Sequence, residues 1–242
     1  MSTAVVATPV VVAIDGPSGT GKSSTSKAVA ARMGLRYLDT GAQYRAITWW
    51  MLNAGIDVDD AEAVAAAAGK PTIVSGTDPL APTITVDGTD VAAPIRGRQV
   101  TGAVSAVSAV PEVRARITEL QRSIAAGAAE GIVVEGRDIG TTVLPDADVK
   151  IFLTASPEVR AARRSAELAG RAGSSAPTAQ AGSDVAATQA ALLRRDAADS
   201  RRKTSPLAKA ADATEVDTSE LTLEQVIECV VTLIEERGRR AR

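Results

Sequence analysis

Gly16-Pro17-Ser18-Gly19-Thr20-Gly21-Lys22-Ser23 is the stretch that decides the fold of this chain. It fits the phosphate-binding loop pattern G-x-x-x-x-G-K-[ST], in which glycines let backbone N–H groups wrap closely around a phosphate. The apolar, β-branched residues 10–14 before it predict a buried parallel strand. The Ala-rich residues 24–33 after it predict a helix, which Gly34 ends. A strand, a glycine loop and a helix in this order form the context that the motif requires.

Two side chains of this loop have a chemical role at a bound triphosphate. Lys22 is a flexible point charge that can follow the β- and γ-phosphates, and the hydroxyl of Ser23 is a ligand for Mg²⁺. The N-terminus of the following helix adds partial positive charge at the same place. The stretch therefore predicts nucleotide phosphate binding.

Composition excludes several classes of function. The chain has 242 residues, of which 45% are hydrophobic, enough for one large α/β domain or two small ones. A net charge of −2 argues against a general binder of nucleic acid or of membrane surfaces. With no histidine and one cysteine, Cys229, a disulfide scaffold, a Cys- or His-ligated metal and a His-based triad are excluded. Catalysis must use carboxylates, lysine, arginine and a hard cation held by oxygen.

The sequence also bears on location and assembly. No apolar run approaches the roughly 20 residues of a membrane span. Residues 1–9 lack the basic start of a secretory signal. We therefore expect a cytoplasmic protein with no membrane or nucleic-acid partner, and we expect it to act as a monomer.

Alternating strands and helices predict an α/β fold. Strands are predicted at residues 36–39, 131–135, 149–153 and 215–217, and helices at residues 42–53, 60–68, 111–126, 157–168, 186–202 and 223–236. Residues 72–75 and 83–86, with Asp87-Gly88 as a turn, predict a small antiparallel insert. Residues 170–182 are rich in Gly, Ser, Ala and Pro and predict a mobile segment. Together these patterns indicate a P-loop NTPase-type parallel sheet with helices on both faces and two insertions.

Two further constellations follow predicted strands. Asp39-Thr40-Gly41-Ala42-Gln43-Tyr44-Arg45 follows the second strand, and Glu135-Gly136-Arg137-Asp138-Ile139-Gly140-Thr141 follows the third. Both are predicted at the carboxyl edge of the parallel sheet, where ligands bind in such folds. Each places an arginine beside polar groups, which suits a second phosphate-bearing ligand facing the first.

Four motifs resemble those of the bacterial cytidylate kinases, nucleoside-monophosphate kinases that phosphorylate CMP and dCMP. They are residues 14–19 (IDGPSG), 38–45 (LDTGAQYR), 135–141 (EGRDIGT) and 150–156 (KIFLTAS). The resemblance covers residues 11–234. It implies a single P-loop kinase domain with a core at about 10–40, 127–165 and 204–236, an NMP-binding insert at about 41–126 and a mobile lid at about 166–203.

The resemblance also implies roles for individual residues. The ATP phosphates would be held by Gly16, Pro17, Ser18, Gly19, Thr20, Gly21, Lys22, Ser23 and Ser24. The CMP set would comprise Thr40, Arg45 and Arg137 for the phosphate, Tyr44 near the nucleotide, Ser105, Arg114 and Asp138 for cytosine, and Arg195, Asp199 and Arg202 from the lid. The catalytic cations would be Lys22, Arg137, Arg195 and Arg202. Mg²⁺ would be held by Ser23 with the ATP phosphates, and Glu135, where aspartate is common, is a candidate for contact through water.

Two rival interpretations of the loop stay open from the sequence. One is a kinase for another small molecule, such as a metabolite hydroxyl. The other is a non-catalytic ATP-dependent switch, against which the intact Lys22 and Ser23 argue. A guanine-reading N-K-x-D motif is absent from the sequence, and Glu135 after an apolar strand is a weak version of the acid that ATPase motors use. Arg160 and Arg164 on the predicted helix 157–168 are interpreted as a solvated or interdomain face, with a contact to adenine or ATP as the alternative.

Overall fold

The computed structural model describes residues 9–172 and 178–240, and its strands and helices are numbered along the chain. The strands are β1 (Val11–Asp15), β2 (Arg36–Asp39), β3 (Ile73–Ser75), β4 (Ile84–Val86), β5 (Thr89–Asp90), β6 (Ile132–Glu135), β7 (Val149–Thr154) and β8 (Thr214–Asp217). The helices are α1 (Lys22–Met33), α2 (Thr40–Asn53), α3 (Ala61–Ala67), α4 (Arg98–Val107), α5 (Pro111–Ala126), α6 (Pro157–Ala172), α7 (Thr178–Ser200) and α8 (Leu223–Arg240).

The main sheet of the described residues has five parallel strands in the order β2-β6-β1-β7-β8. Side chains of β1 alternate between its two faces, as the pleat requires. Val12 and Ile14 pack in the core that α1 and α8 cover, whereas Ala13 packs on the opposite face with Ala125 of α5. The predicted parallel sheet with helices on both faces is therefore confirmed.

The insert between β2 and β6 has its own hydrophobic core. Its sheet of β3, β4 and β5 is antiparallel, and Ile84 and Val86 from this sheet pack with Ile47 and Met51 of α2. Asp87 and Gly88 adopt the left-handed conformation between β4 and β5, which confirms the predicted turn. The small β insert is confirmed, and it gains a third strand, β5, that the sequence did not predict.

Helix α5 contributes to both cores. Val113 and Ile117 pack in the core of the insert, whereas Ala125, two turns later, packs against the main sheet. One continuous helix therefore joins the insert to the sheet, and the predicted boundary at residue 126 lies at the end of this connecting helix.

Two helical regions differ from the sequence prediction. Helix α4 was not predicted, because Gly102 and its β-branched residues favour helix weakly; the buried stripe of Val100, Val104 and Val107 overrides this local preference. Helix α6 continues to Ala172 and α7 begins at Thr178, so helix enters the segment 170–182 from both sides. Residues 173–177, at the centre of that predicted mobile segment, lie outside the described residues, and its mobility stays a prediction.

Candidate active site

The glycines of the P-loop allow close backbone approach. A Cβ atom on Gly16, whose φ is +146°, would lie 2.2 Å from the carbonyl oxygen of Leu153 on β7. A Cβ atom on Gly19, with φ +84°, would lie 2.9 Å from the carbonyl oxygen of Arg160 on α6. Gly21, also left-handed, precedes α1, which begins directly at Lys22. The loop is thus packed tightly between β1, β7 and α6, with a helix N-terminus facing the phosphate position.

Lys22 is buried and has no carboxylate hydrogen-bonded to it among the described residues. Its Nζ donates to the carbonyl oxygen of Pro17 at 2.7 Å, within the same loop. Burial, together with the nearby guanidinium of Arg137, lowers the pKa of Lys22 well below its usual value. A bound anion at this place would raise the pKa of Lys22 again and stabilise its ammonium form, so the position favours a phosphate ligand.

Carboxylates line the strand ends next to Lys22. Glu135, at the end of β6, accepts a 2.5 Å hydrogen bond from the hydroxyl of Tyr37 and interacts with the hydroxyl of Ser23. Burial and the charge of Asp39 raise its pKa to about 7. Asp15, at the end of β1, accepts hydrogen bonds from two backbone N–H groups, and burial raises its pKa to about 6. The P-loop thus faces oxygen ligands of the type that a hard cation prefers.

Arginines converge opposite the P-loop. Arg45 of α2 donates to the carbonyl of Ile95 and to Thr101, and burial, followed by the charge of Arg164, lowers its pKa to about 10. Arg195 of α7 has a buried Nε without a hydrogen-bond partner. Burial, and then Arg137 and Arg45, lower its pKa to about 9. Burial and mutual repulsion both disfavour the charge of these guanidinium groups, and a bound polyanion would relieve both effects.

Asp199 of α7 connects two predicted site arginines. Its carboxylate is buried and accepts from Nε of Arg137 at 3.1 Å and from the guanidinium of Arg202. Arg137 also donates to the carbonyl of Gly16 at 3.1 Å and to the hydroxyl of Ser18. The end of α7 is therefore tied to the P-loop through Arg137.

The site also contains a buried ion pair. Arg114 of α5 and Asp138 are 2.5 Å apart between NH2 and Oδ2, and both side chains are almost fully buried. The guanidinium of Arg114 also lies 5.3 Å from the ring centre of Tyr44. Such a pair, with an aromatic ring beside it, offers both a hydrogen-bond acceptor and donors to a planar polar ligand.

Most of these groups, though not Asp15, line one cleft of about 280 Å³. Most of the predicted site residues lie around it: Ser18, Gly19, Gly21, Lys22, Ser23, Ser24, Thr40, Tyr44, Arg45, Arg114, Glu135, Arg137, Asp138, Arg195, Asp199 and Arg202. Four predicted residues are not part of its lining, namely Gly16, Pro17, Thr20 and Ser105. The first three belong to the P-loop itself, within which the hydroxyl of Thr20 donates to the carbonyl of Pro17. On α4, the cleft is lined by Val104, and by Ser108 just after the helix, rather than by Ser105.

The sequence missed several residues at the cleft. Asp39, Arg96, Ser108 and Glu167 line it, and so does Arg164, which was interpreted as part of a solvated or interdomain face. Arg160, given the same interpretation, is buried and pairs at 2.5 Å with Asp196, whose Oδ1 accepts from the N–H of Ser18 at 3.4 Å. The i, i+4 spacing of Arg160 and Arg164 on one helix was the available signal.

Metal-binding clusters and membrane-spanning helices are two further features that the described residues can be examined for. No group of three or more His, Cys, Asp or Glu residues that could hold a metal ion by itself occurs in the described part of the chain. Among the helices of the described ranges, none is both long and apolar enough to cross a membrane.

Comparisons with known proteins show the family to which the chain belongs. A sequence profile of the family described as cytidylate kinase matches residues 12–236. A cytidylate kinase from Streptomyces avermitilis is 75% identical over 228 residues, 94% of each chain, and one from Nocardia farcinica is 57% identical over 223 residues, 91% of each. A solved gluconokinase from Sinorhizobium meliloti 1021 is 15% identical, with a TM-score of 0.45 over 97% of this chain and 96% of its own. By its sequence, the chain belongs to the cytidylate kinase family.

Proposed function

We propose that this chain transfers the γ-phosphoryl group of ATP to CMP or dCMP, giving CDP or dCDP and ADP. Family membership makes the chain an ATP-dependent nucleoside-monophosphate kinase. The observation that carries the residue-level proposal is the arrangement of the cleft. The P-loop, the Arg114–Asp138 pair and the arginines Arg45, Arg137 and Arg195 line one cleft. We assign the P-loop and the ion pair to its two ends.

The donor phosphates are assigned to the P-loop. Backbone N–H groups of residues 16–24 and the ammonium of Lys22 would hold them. The oxygen ligands beside the loop fit a magnesium ion, with Ser23 as a direct ligand and Glu135 acting through water. When bound with ATP, that ion neutralises charge on the transferring group. The residues of the chain itself would position the phosphates and exclude water.

The acceptor phosphate is assigned to the cations between the two ends. Thr40, whose hydroxyl donates to the carbonyl of Glu135 at 2.6 Å, lies at the start of α2 one turn before Arg45. Together with Arg137, these groups would hold the CMP phosphate against the P-loop. Because this phosphate is already anionic near neutral pH, its attack requires no strong general base. Catalysis then consists of positioning and of stabilising the charge that two anions bring together.

The nucleoside is assigned to the far end of the cleft. Cytosine has an exocyclic amine, and an ionised Asp138 can accept a hydrogen bond from it. Arg114 would donate to the base, and Tyr44 would pack beside it. The family motifs also assign Ser105 to the base, although Val104 and Ser108 line the cleft here in its place. Asp199 would face the ribose, and Arg195 and Arg202 of the lid would approach the phosphates. Lid closure would keep water away from the transferring group.

Replacing Asp138 tests this base assignment. Asp138→Ala is expected to lower the ratio of kcat/KM for CMP over UMP by roughly tenfold to a hundredfold, chiefly through weaker use of CMP, because the amine loses its acceptor. Since Arg114 would then be a buried charge without its carboxylate, Asp138→Asn, which keeps the shape, is measured beside it. Steady-state kinetics with both substrates checks the ratio. If both substrates lose activity equally in the folded variants, Asp138 does not read the base.

One assay discriminates the proposal from its rivals. The purified protein is incubated with ATP and Mg²⁺ and with CMP, dCMP, UMP, AMP, GMP or dTMP in turn, and ADP release is followed by coupled enzymes. We expect CMP and dCMP to be the preferred acceptors. Turnover of all monophosphates alike would favour a different small-molecule kinase, and ATP binding without transfer to any of them would favour a switch protein.

The predictions of a monomer and of a cytoplasmic location accompany this function. Every group assigned to ATP and CMP comes from one chain, so one copy is sufficient to assemble the cleft. Light scattering of the purified protein is expected to give the mass of a single chain with and without nucleotides. A dimer in both conditions would contradict the prediction of a monomer.

A further inference from the structure

Ser108 is a buried polar residue of the cleft to which no sequence motif assigns a role. It follows the last residue of α4, and its own N–H still donates to the carbonyl of Val104. The helix therefore ends at Ser108, and the negative end of the α4 dipole points toward the cations that surround it. Its backbone carbonyl accepts a hydrogen bond from one arginine, and its side-chain hydroxyl accepts a hydrogen bond from another.

The carbonyl of Ser108 supports the base-reading end of the cleft. NH1 of Arg114 donates to it at 3.2 Å, while NH2 of the same guanidinium pairs with Asp138 at 2.5 Å. Because Arg114 is almost fully buried, these two bonds fix the plane of its guanidinium. The position of the Ser108 backbone is thus coupled to the pair that would read cytosine.

The hydroxyl of Ser108 supports the phosphate end of the cleft. NH2 of Arg202 donates to Oγ of Ser108 at 3.0 Å and to Asp199. Asp199 in turn accepts from Arg137, which donates to the hydroxyl of Ser18 in the P-loop. One continuous series of hydrogen bonds therefore connects the base-reading pair to the P-loop through Asp138, Arg114, Ser108, Arg202, Asp199, Arg137 and Ser18.

We propose that Ser108 is a positioning residue, which holds Arg202 in register with the base-reading pair so that its guanidinium is aligned for phosphoryl transfer when CMP is bound. The inference rests on the proposed function, since it assigns cytosine to the Arg114–Asp138 pair. Ser108 touches neither the reacting phosphates nor, in this assignment, the base. It acts through the orientation of Arg202, and it links the insert to the end of α7.

The hydroxyl is the part of Ser108 that this role requires. Without it, NH2 of Arg202 keeps its bond to Asp199 but loses the one hydrogen bond described between Arg202 and the insert, and one N–H of this largely buried guanidinium loses its acceptor. The carbonyl that holds Arg114 belongs to the backbone and is retained in Ser108→Ala. Ser108→Ala therefore breaks the hydrogen-bond series at Arg202 and leaves the bond to Arg114 intact. It removes only the hydroxyl from the core.

The test is a double-mutant cycle of Ser108→Ala with Arg202→Ala, assayed with CMP and ATP at saturation. We expect Ser108→Ala to lower kcat about tenfold, with the KM for ATP unchanged, as the loss of one hydrogen bond to a charged group predicts. In the Arg202→Ala background the same change is expected to lower kcat less than twofold, because the two residues act as one unit. Ser123→Ala, at an exposed serine of α5, is the matched control and should leave kcat unchanged.

Each alternative outcome has a distinct meaning. An equal tenfold loss in both backgrounds would overturn the role of Ser108 in holding Arg202. So would a raised KM for CMP with unchanged kcat, because Ser108 would then contribute to binding alone. A lowered melting temperature with unchanged kinetics would make Ser108 a purely structural residue. Failure of the wild-type protein to phosphorylate CMP would overturn the proposed function itself, whereas an active wild type with an unaffected Ser108→Ala variant would overturn only this inference.

Discussion

Lys22→Ala is expected to lower turnover of CMP at least about a hundredfold while the fold survives. In the ligand-free protein the ammonium of Lys22 is buried, donates only within its own loop among the described contacts and has a depressed pKa. A triphosphate in the loop supplies the charge that this ammonium needs, and charge on the β- and γ-phosphates changes as the phosphoryl group moves. The interaction is therefore stronger in the transition state than in the ground state, which is the condition for an effect on kcat.

The measurement compares two lysines of the same helix. Lys27→Ala is the matched control, since Lys27 lies one turn later on α1, over the ring of Tyr37, and does not line the cleft. Initial rates with CMP and ATP at saturation should fall for Lys22→Ala alone, and circular dichroism should be the same for both variants. Near-normal turnover of a folded Lys22→Ala variant would remove the P-loop from the catalytic site.

The main sheet and the P-loop could be predicted because their signals are local. An apolar β-branched strand, glycines at left-handed positions and an Ala-rich helix fix β1, the loop and α1 within a short stretch. Helix α4 could not be predicted in this way. Its sequence contains Gly102 and several β-branched residues, and its helical state depends on burying Val104 and Val107 in the core of the insert, a contact that no local pattern encodes.

The same distinction separates the predicted from the missed residues of the site. Thr40 and Arg137 could be placed together because β2 and β6 are neighbours in register, with Asp39 opposite Glu135, so that the residues after each strand meet at one edge. Ser108 and Asp196 carry no motif. Ser108 acquires its contacts only where the end of α4 meets Arg202, and Asp196 only where α7 meets α6 and the P-loop. Residues that act through contacts between distant helices are therefore the ones that sequence reasoning misses.

Arg195→Ala and Arg202→Ala are each expected to cost roughly 2–4 kcal/mol of transition-state stabilisation, mainly in kcat and with little change in ATP affinity. The reasons differ between the two. Arg195 carries a buried Nε without a partner, and burial together with Arg137 and Arg45 lowers its pKa to about 9, so it gains most when phosphates enter. Arg202 is already held by Asp199 and Ser108, and therefore it is aligned before the reaction rather than recruited by it.

Neighbouring arginines of α7 provide matched controls for this pair. Arg194 and Arg201 are exposed and directly precede Arg195 and Arg202 along the chain, so Arg194→Ala and Arg201→Ala should leave kcat within about twofold. Single-turnover rates at saturating ATP and CMP isolate the transfer step, and calorimetric titration of ATP measures its affinity separately. Because the lid arginines are assigned to the closed, reacting state, the loss should appear in the transfer rate. A loss seen solely as weaker ATP binding, with the transfer rate preserved at saturation, would mean that Arg195 and Arg202 hold the donor nucleotide instead of stabilising the transfer.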